Sequence, residues 1–466
     1  MRNRQTLKER RMTLKNDFTE GSVVKNILNL AFPMTLAQII NVLYNIVDRI
    51  YIGMIPEKAT LSMTGLGLTL PIITIIIAFA NLFGMGGAPL FSIARGRGDD
   101  EEAARIMGNS FVLLLGSGLV LTVLCFLLKK PVLYLFGASD ATFPYANDYI
   151  SIYLLGSVFV MIGLGMNSYI NSQGFGKTGM MTVLFGAIAN IILDPVFIFG
   201  LHMGVKGAAI ATVISQFLSA AWVLLFLTGK KTILKLTPGT FVLKKSRVSK
   251  ITLLGLSGFV MAITNSGVQI MCNTRLQFYG GDLYVGVMTV INSIRELITM
   301  PVSGLTNAAQ PVIGYNYGAH AYPRVRQAIK FMSSVCIIYS VIFWLILNLF
   351  PAFFIRIFNH EPALIAAGLP ALRIYFFGFF MMSLQFSGQS VFVALGKSKH
   401  AIFFSLLRKA IIVIPLTLLL PGLFGLGTDG VFLAEPISNF IGGTASFVTM
   451  LAIVWPELKR KERLGS

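Results

Sequence analysis

Charged side chains are scarce in this sequence. They make up 12% of its 466 residues, whereas a soluble domain carries roughly 25%. The shortage excludes an ordinary soluble globular protein. Apolar runs of about 18 residues or more, long enough to cross a bilayer, recur from Lys25 to Trp455. The first run is too long for a signal peptide, so we expect it to be a retained span. The sequence predicts an all-α integral membrane protein embedded in the lipid bilayer.

Cysteine and histidine are also rare, with three and four residues. Cys125, Cys272 and Cys336 lie inside apolar runs without metal-binding spacing, and the histidines are scattered over loops. We therefore expect free thiols, no metal centre beyond a possible Na⁺ site, and no cofactor. "GFGKT" at 174–178 lacks the first glycine of a phosphate-binding loop, where Asn171 stands. No set of nucleophile, base and orienting group predicts an enzyme.

Acidic residues are half as numerous as basic ones, which gives a net charge of +19. Nucleic acid is one explanation, but the positive-inside rule explains the excess better, so we expect no nucleic-acid partner. Breaking the chain at charged, Gly-rich and Pro-rich segments predicts twelve transmembrane spans. They lie near residues 24–54, 60–92, 103–128, 141–171, 178–200, 205–228, 249–279, 283–316, 324–350, 363–395, 399–420 and 429–455.

The distribution of cations orients these spans. The side that holds both termini carries most of the 38 lysines and arginines, and we assign Arg408 and Lys409 to that side as well. The opposite side holds five, namely Lys58, Lys129, Lys130, Lys206 and Arg356. The positive-inside rule then predicts cytoplasmic termini in the inner, or cytoplasmic, cell membrane.

A basic segment divides the chain into similar halves. We predict an N-lobe over residues 1–228 with six spans, a cytoplasmic linker over 229–248, and a C-lobe over 249–466 with six more. At a shift of about 220 residues "GFGKT" matches "ALGKS" at 394–398, and Pro195 matches Pro415. An even number of spans per half predicts a pseudo-twofold axis along the membrane normal. Secondary transporters commonly share this organisation, with substrate bound near the midplane.

The first span carries an acid within its apolar run. In "NVLYNIVDRIYIG" and the residues before it, polar side chains recur at helical spacing and form one stripe: Gln38, Asn41, Tyr44, Asn45 and Asp48. A buried acid costs several kcal/mol and normally faces a cavity or a partner. We predict that the stripe lines a functional cavity, and the alternative is an interhelical hydrogen-bond seam.

Three further polar residues fall at the depth of Asp48. Asn190 and Asp194 lie four residues apart on the fifth span, and Thr212 lies on the sixth. Asp48, Asp194 and Thr212 are each six or seven residues inside the outer end of their span, roughly 10 Å deep. Such a group could bind a small cation, or its two acids could share one proton.

The second half lacks this pattern. Ala410 and Ile414 stand where the repeat would place Asn190 and Asp194. Glu435 stands in place of Thr212, and we predict that it pairs with Arg275. The deep Glu296 could contact a cationic substrate or neutralise an arginine, so both roles stay open. Met300, Gln385 and Gln389 complete the predicted substrate cavity, although flexible and aromatic side chains around them are also typical of plain packing.

The sequence resembles the multidrug and toxic compound extrusion family, in the bacterial and archaeal branch typified by DNA-damage-inducible protein F. "TEGSVVKNILNLAFPM", "YNIVDRIYIG", "NIILDPVFIFG" and "MPVSGLTNAAQPVIGYNYGA" carry the resemblance, together with the "GK[ST]" loops of both halves. It implies a two-lobed, twelve-helix exporter whose cation site matches Asp48, Asn190, Asp194 and Thr212. Another branch of the family uses acids on helices seven and ten, where this sequence has Asn273 and no acid.

These observations lead us to expect a monomeric antiporter, coupled to H⁺ or Na⁺, that exports amphipathic and often cationic small organic compounds by alternating access between two lobes. Two alternatives remain. A lipid-linked saccharide flippase would need more deep cations than Arg295 alone. A channel or receptor without coupled transport fits poorly with duplicated halves and intramembrane acids.

Overall fold

A computed structural model of the protein describes residues 17–55, 59–423 and 425–465. Residues 1–16 and Lys58, which contribute to the predicted charge asymmetry, lie outside them. The helices in chain order are α1 (Val23–Gly53), α2 (Ala59–Gly96), α3 (Asp100–Leu135), α4 (Phe143–Leu155), α5 (Ser157–Ser172), α6 (Gly176–Pro195), α7 (Gly204–Thr228), α8 (Lys245–Gly318), α9 (Tyr322–Leu349), α10 (Pro351–Phe358), α11 (Pro362–Phe376), α12 (Phe379–Ala394), α13 (Ser398–Leu406), α14 (Ile414–Leu419), α15 (Gly427–Ser438) and α16 (Thr444–Gly465). Within these ranges the regular secondary structure is entirely helical.

The number of membrane spans follows from the length and hydropathy of the helices and from the breaks within them. Nine helices in the described ranges are long and apolar enough to cross a membrane, and two bent pairs, α4 with α5 and α11 with α12, bring the count to 11. The 74 residues of α8 would extend about 110 Å if straight, far beyond a hydrocarbon core of about 30 Å. Gly281, with φ 67°, breaks α8 into two spans. The predicted all-α class and its twelve spans are confirmed.

Three short π-helical segments interrupt the spans. Val196–Gly200 follows α6, Leu407–Val413 joins α13 to α14, and Asn439–Gly443 joins α15 to α16. A π-helical turn leaves backbone groups outside the regular α-helical ladder and often occurs at functional sites. Pro195, which the sequence predicts to bend its span, lies directly before the first of these segments.

The described residues form two compact units. One contains Phe32–Gly255, and the other contains Gly21–Ala31 together with the residues from Leu256 onward. The predicted linker 229–248 lies inside the first unit because side chains hold it there. The Asn109 amide donates to the carbonyls of Thr240 and Val242 at 3.1 and 2.9 Å, and Arg247 Nη2 lies 2.6 Å from Glu102 Oε2. The predicted lobe boundaries remain a prediction.

Glycines allow the helices of the first unit to approach closely. A Cβ on Gly255 of α8 would lie 1.8 Å from the carbonyl oxygen of Leu82 on α2. A Cβ on Gly86 of α2 would lie 2.4 Å from the carbonyl oxygen of Ile251. Small residues at such crossings maximise van der Waals contact, which drives helix association where water is absent. The crossing of α2 with the start of α8 therefore depends on glycine at both positions.

Gly255→Ala should lower the melting temperature of the purified protein, because the new methyl group overlaps backbone that cannot rotate away. Overpacking of this kind costs about 1–3 kcal/mol. Gly258→Ala on the same helix is the matched control, since its Cβ would meet no atom within 4 Å. Thermal unfolding in detergent measures both variants, and equal melting temperatures would contradict the proposed crossing.

Candidate cation-binding site in the first unit

The polar stripe of α1 lies against a cavity of the first unit. Asn41, Tyr44, Asn45 and Asp48 all line it, whereas Gln38 is half-buried and outside the lining. The Asn45 amide donates to the Asn41 carbonyl at 2.8 Å, so these two residues brace one turn of the helix. Asp48 is buried, while Asn41 and Asn45 remain exposed. The stripe therefore leads from an open surface to a buried acid.

Two further helices bring the other predicted residues to the same place. Asn190 Nδ2 lies 3.3 Å from Asp194 Oδ1 on α6 and 3.5 Å from Thr212 Oγ1 on α7. The Thr212 hydroxyl donates to the Ala208 carbonyl at 2.9 Å, so its oxygen lone pairs can accept from the amide. Asn190 thus joins α6 to α7, and all three side chains are buried.

The carboxyl groups of Asp48 and Asp194 lie within hydrogen-bonding range of each other. One buried oxygen of each, Asp48 Oδ1 and Asp194 Oδ2, has no hydrogen-bond donor in the described part of the chain, and neither acid has an ion-pair partner there. Two carboxylates at this distance repel each other strongly in a low dielectric. A shared proton or a bound cation removes that cost, and the orphan oxygens are suitable ligands for either.

The cavity has a volume of about 200 Å³, and tyrosines form part of its wall. Tyr149 and Tyr153 stack with ring centroids 6.1 Å apart, and the Tyr149 hydroxyl lies within reach of a hydrogen bond to Thr212. The sequence pattern did not single out these two tyrosines. Their spacing of four was a readable signal, because residues four apart share one face of a helix. The volume is below the roughly 300–1,000 Å³ of drug-sized pockets, so this cavity suits ions and water better than a whole drug molecule.

The predicted substrate residues of the second half have other surroundings than the polar stripe of α1. Gln385 donates to Gln389 at 3.0 Å and to the Phe404 carbonyl at 3.3 Å, and Gln389 donates to Ser405 at 2.5 Å. These buried amides join α12 to α13. Met300 is buried and Glu296 is exposed. None of these four predicted substrate residues lies in the cavity that contains Asp48. Their assignment to substrate stays a prediction.

The predicted pair between Arg275 and Glu435 is wrong. The partners of Glu435 are Arg408 and Lys409, both buried in the π-helical segment that faces α15. The two cations lie within the eleventh span, so their assignment to the cytoplasmic side is wrong as well. The sequence carried the signal, because "LLRKAIIVI" places adjacent cations between apolar stretches. Buried cations of this kind need a carboxylate nearby, and the neighbouring span provides Glu435.

Twelve spans in two halves, with buried acids beside a cavity that form no ion pair in the part of the chain that the structure describes, define a multi-pass membrane transporter. A family model described as MatE matches residues 33–196 and 257–419, once in each half. The chain belongs to the MatE family. It is a transporter and not an enzyme. The finer assignment to the branch typified by DNA-damage-inducible protein F stays a prediction.

Similar proteins cover nearly the whole chain. It is 26% identical over 412 residues to "Multidrug export protein MepA" of Staphylococcus haemolyticus, covering 88% of this chain and 89% of the relative. The protein of the same name from Staphylococcus aureus strain NCTC 8325 is 24% identical, with coverage of 88% and 90%. A solved structure described as "Outward-facing conformation of a multidrug resistance MATE family transporter of the MOP superfamily" matches with a TM-score of 0.88 and 22% identity, covering 96% of this chain and 98% of that one. A second, "Crystal structure of MATE in the bent conformation", has a TM-score of 0.89 and 22% identity, with coverage of 95% and 98%. At this identity the structures show the fold alone.

Tyr149→Phe should weaken cation binding at the site, because it removes the hydroxyl that holds Thr212. A lost hydrogen bond of about 1 kcal/mol corresponds to roughly fivefold weaker affinity. Tyr153→Phe is the matched control, since it preserves the stacked pair and leaves the Tyr149 hydroxyl in place. The concentration of coupling cation that gives half-maximal efflux measures the effect. An equal shift in both variants would assign it to packing.

Proposed function

We propose that this protein is a cation-coupled antiporter that exports amphipathic, often cationic organic compounds by alternating access. H⁺ or Na⁺ is the coupling ion, bound by Asp48, Asn190, Asp194 and Thr212. The observation that carries the proposal is the contact between two buried carboxyl groups that form no ion pair with any described residue, although Arg49 lies near Asp48. The name of the MepA relatives, multidrug export protein, supports the choice of substrate class.

The arrangement suggests how ion binding would act on the helices. Asp48 belongs to α1, whereas Asp194 and Asn190 belong to α6 and Thr212 to α7. A cation or proton between the two carboxyl groups removes their repulsion and draws α1 towards α6. Without it, the two helices separate more readily. A ligand shifts a conformational equilibrium only through different affinity for the two states, and contact between acids on separate helices provides that difference.

Substrate export then follows from competition between the two states. A proton or Na⁺ entering from outside binds the acids and stabilises the arrangement in which α1 is held against α6. Substrate is released while that arrangement persists, and release of the ion into the cytoplasm resets the protein. We place substrate contacts at the stripe formed by Asn41, Tyr44 and Asn45, because these side chains connect the acids to the open end of the cavity.

A lipid-linked saccharide flippase is the second candidate, since the structure adds the buried Arg408 and Lys409 to the deep Arg295. Glu435 balances part of that charge. The cavity beside them is only about 20 Å³, far too small for a pyrophosphate group. A channel or receptor without coupled transport fits neither the family nor the paired acids. The antiporter therefore remains the stronger proposal.

Asp48→Asn and Asp194→Asn should each reduce gradient-driven efflux from proteoliposomes by about tenfold or more. Asparagine keeps the shape of aspartate but cannot take up a proton or balance a cation, and the loss of a charged interaction exceeds about 1.4 kcal/mol. Asp148→Asn is the matched control, because Asp148 is a surface acid of the same unit that pairs with Lys206 at 3.6 Å. Undiminished efflux from both site variants would refute the assignment.

Separate gradients should identify the coupling ion. Dye efflux from wild-type proteoliposomes is measured under an H⁺ gradient without Na⁺ and under a Na⁺ gradient at equal pH. We expect one of these gradients to drive efflux and the Asp48→Asn variant to abolish that response. Efflux that proceeds at the same rate without either gradient would contradict the antiport mechanism.

A further inference from the structure

A second group of buried charges lies in the second unit, where α8, α11, α15 and the π-helical segment Leu407–Val413 meet. Lys409 Nζ lies 3.1 Å from each carboxylate oxygen of Glu435, and Arg408 Nη2 pairs with the same carboxylate. All three side chains are buried. Glu435 therefore forms ion pairs with both Arg408 and Lys409.

Positive charge is in excess in this group. Arg295 lies close enough to interact with Glu435 and with the Tyr375 hydroxyl, yet it forms no ion pair among the described residues. Arg408 Nε is buried without an acceptor in the same part of the chain. Glu296, next to Arg295 in the sequence, is exposed and forms no ion pair there, and its charge acts on Arg295 only from a distance. Three cations therefore lie near one buried carboxylate.

A small cavity separates Arg295 from Lys409. Its volume is about 20 Å³, enough for one water-sized occupant. Three amide side chains join the two cations in its lining: Asn265, Gln269 and Asn292. Each amide offers N–H donors to an occupant, while apolar residues such as Val268 and Met288 form the rest of the wall. The lining is rich in donors and has one acid, which is already paired.

We propose that this cavity binds one halide ion between Arg295 and Lys409. Uncompensated cations in a low dielectric are costly, and an anion at this position removes that cost directly. The volume rejects phosphate esters and larger anions. The site is separate from the acids Asp48 and Asp194, which belong to the first unit, so it does not depend on the proposed antiport.

Anion binding should be visible as a gain in thermal stability. The full-length protein is purified in sodium gluconate, whose anion is too bulky for the cavity, and chloride, bromide or acetate replaces gluconate at constant Na⁺ and ionic strength. We expect a saturable rise in melting temperature of about 2 °C or more. We expect this rise in chloride and bromide, whereas acetate, which is larger than one water molecule, should give none. A rise in acetate alone would contradict a halide site. Equal stability in all four salts would overturn the proposal.

Substitutions test whether the rise in melting temperature comes from an anion in this cavity. Arg295→Gln and Lys409→Gln should abolish the rise, and Arg295→Lys should retain it with weaker affinity. Arg275→Gln is the matched control, since Arg275 lies on the same helix but outside the cavity lining. An unchanged rise in Arg295→Gln would refute the site. Should the glutamine variants fail to fold, anomalous diffraction from wild-type crystals soaked in bromide decides, with one peak expected between Arg295 and Lys409 and the absence of that peak refuting it.

Discussion

Neutralisation of a carboxylate inside hydrocarbon is the constraint on which the organisation of this protein depends. A buried acid requires a proton, a cation or several hydrogen-bond donors. The first unit brings Asp48 and Asp194 together with a single amide nearby and leaves two of their oxygens without donors. The second unit satisfies Glu435 with two cations from the protein itself. The acids of the first unit therefore require a proton or cation from outside the protein, whereas Glu435 in the second unit does not.

The two solutions occupy corresponding helices of the duplicated halves. In the first half the polar groups lie on the fifth and sixth spans, at Asp194 and Thr212, and in the second on the eleventh and twelfth, at Lys409 and Glu435. A π-helical segment adjoins the site in both halves, at Val196–Gly200 and Leu407–Val413. Duplication therefore preserved where each half holds its polar groups while reversing their charge. Under the proposed mechanism this difference in charge would attract the coupling cation to the first half alone.

The features best predicted from the sequence are those that depend on hydrophobicity and on depth in the membrane. The apolar runs predicted twelve spans because a bilayer fixes how long a crossing helix must be. Equal depth brought Asp48, Asp194 and Thr212 into one group before their contacts were known. The ion-pair partner of Glu435 was harder to predict. Its depth in the membrane suggested Arg275, whereas the actual partner depends on which helix packs against α15. Arg408 and Lys409 were assigned to the cytoplasmic side because the charge count could not distinguish loop cations from cations buried within a span.

Contacts from residues with no net charge were the hardest to anticipate. Tyr149 lies near Thr212 because α4 and α7 pack together, and the bend between α4 and α5 falls at Gly156, whose Cβ would lie 2.7 Å from Val213. Neither packing arrangement can be read from the periodicity of one helix. Under the proposed mechanism the tyrosine would still affect ion binding, because it lies beside Thr212, which accepts a hydrogen bond from Asn190. Control of the proposed coupling ion would then extend beyond the acids to the neutral residues around them.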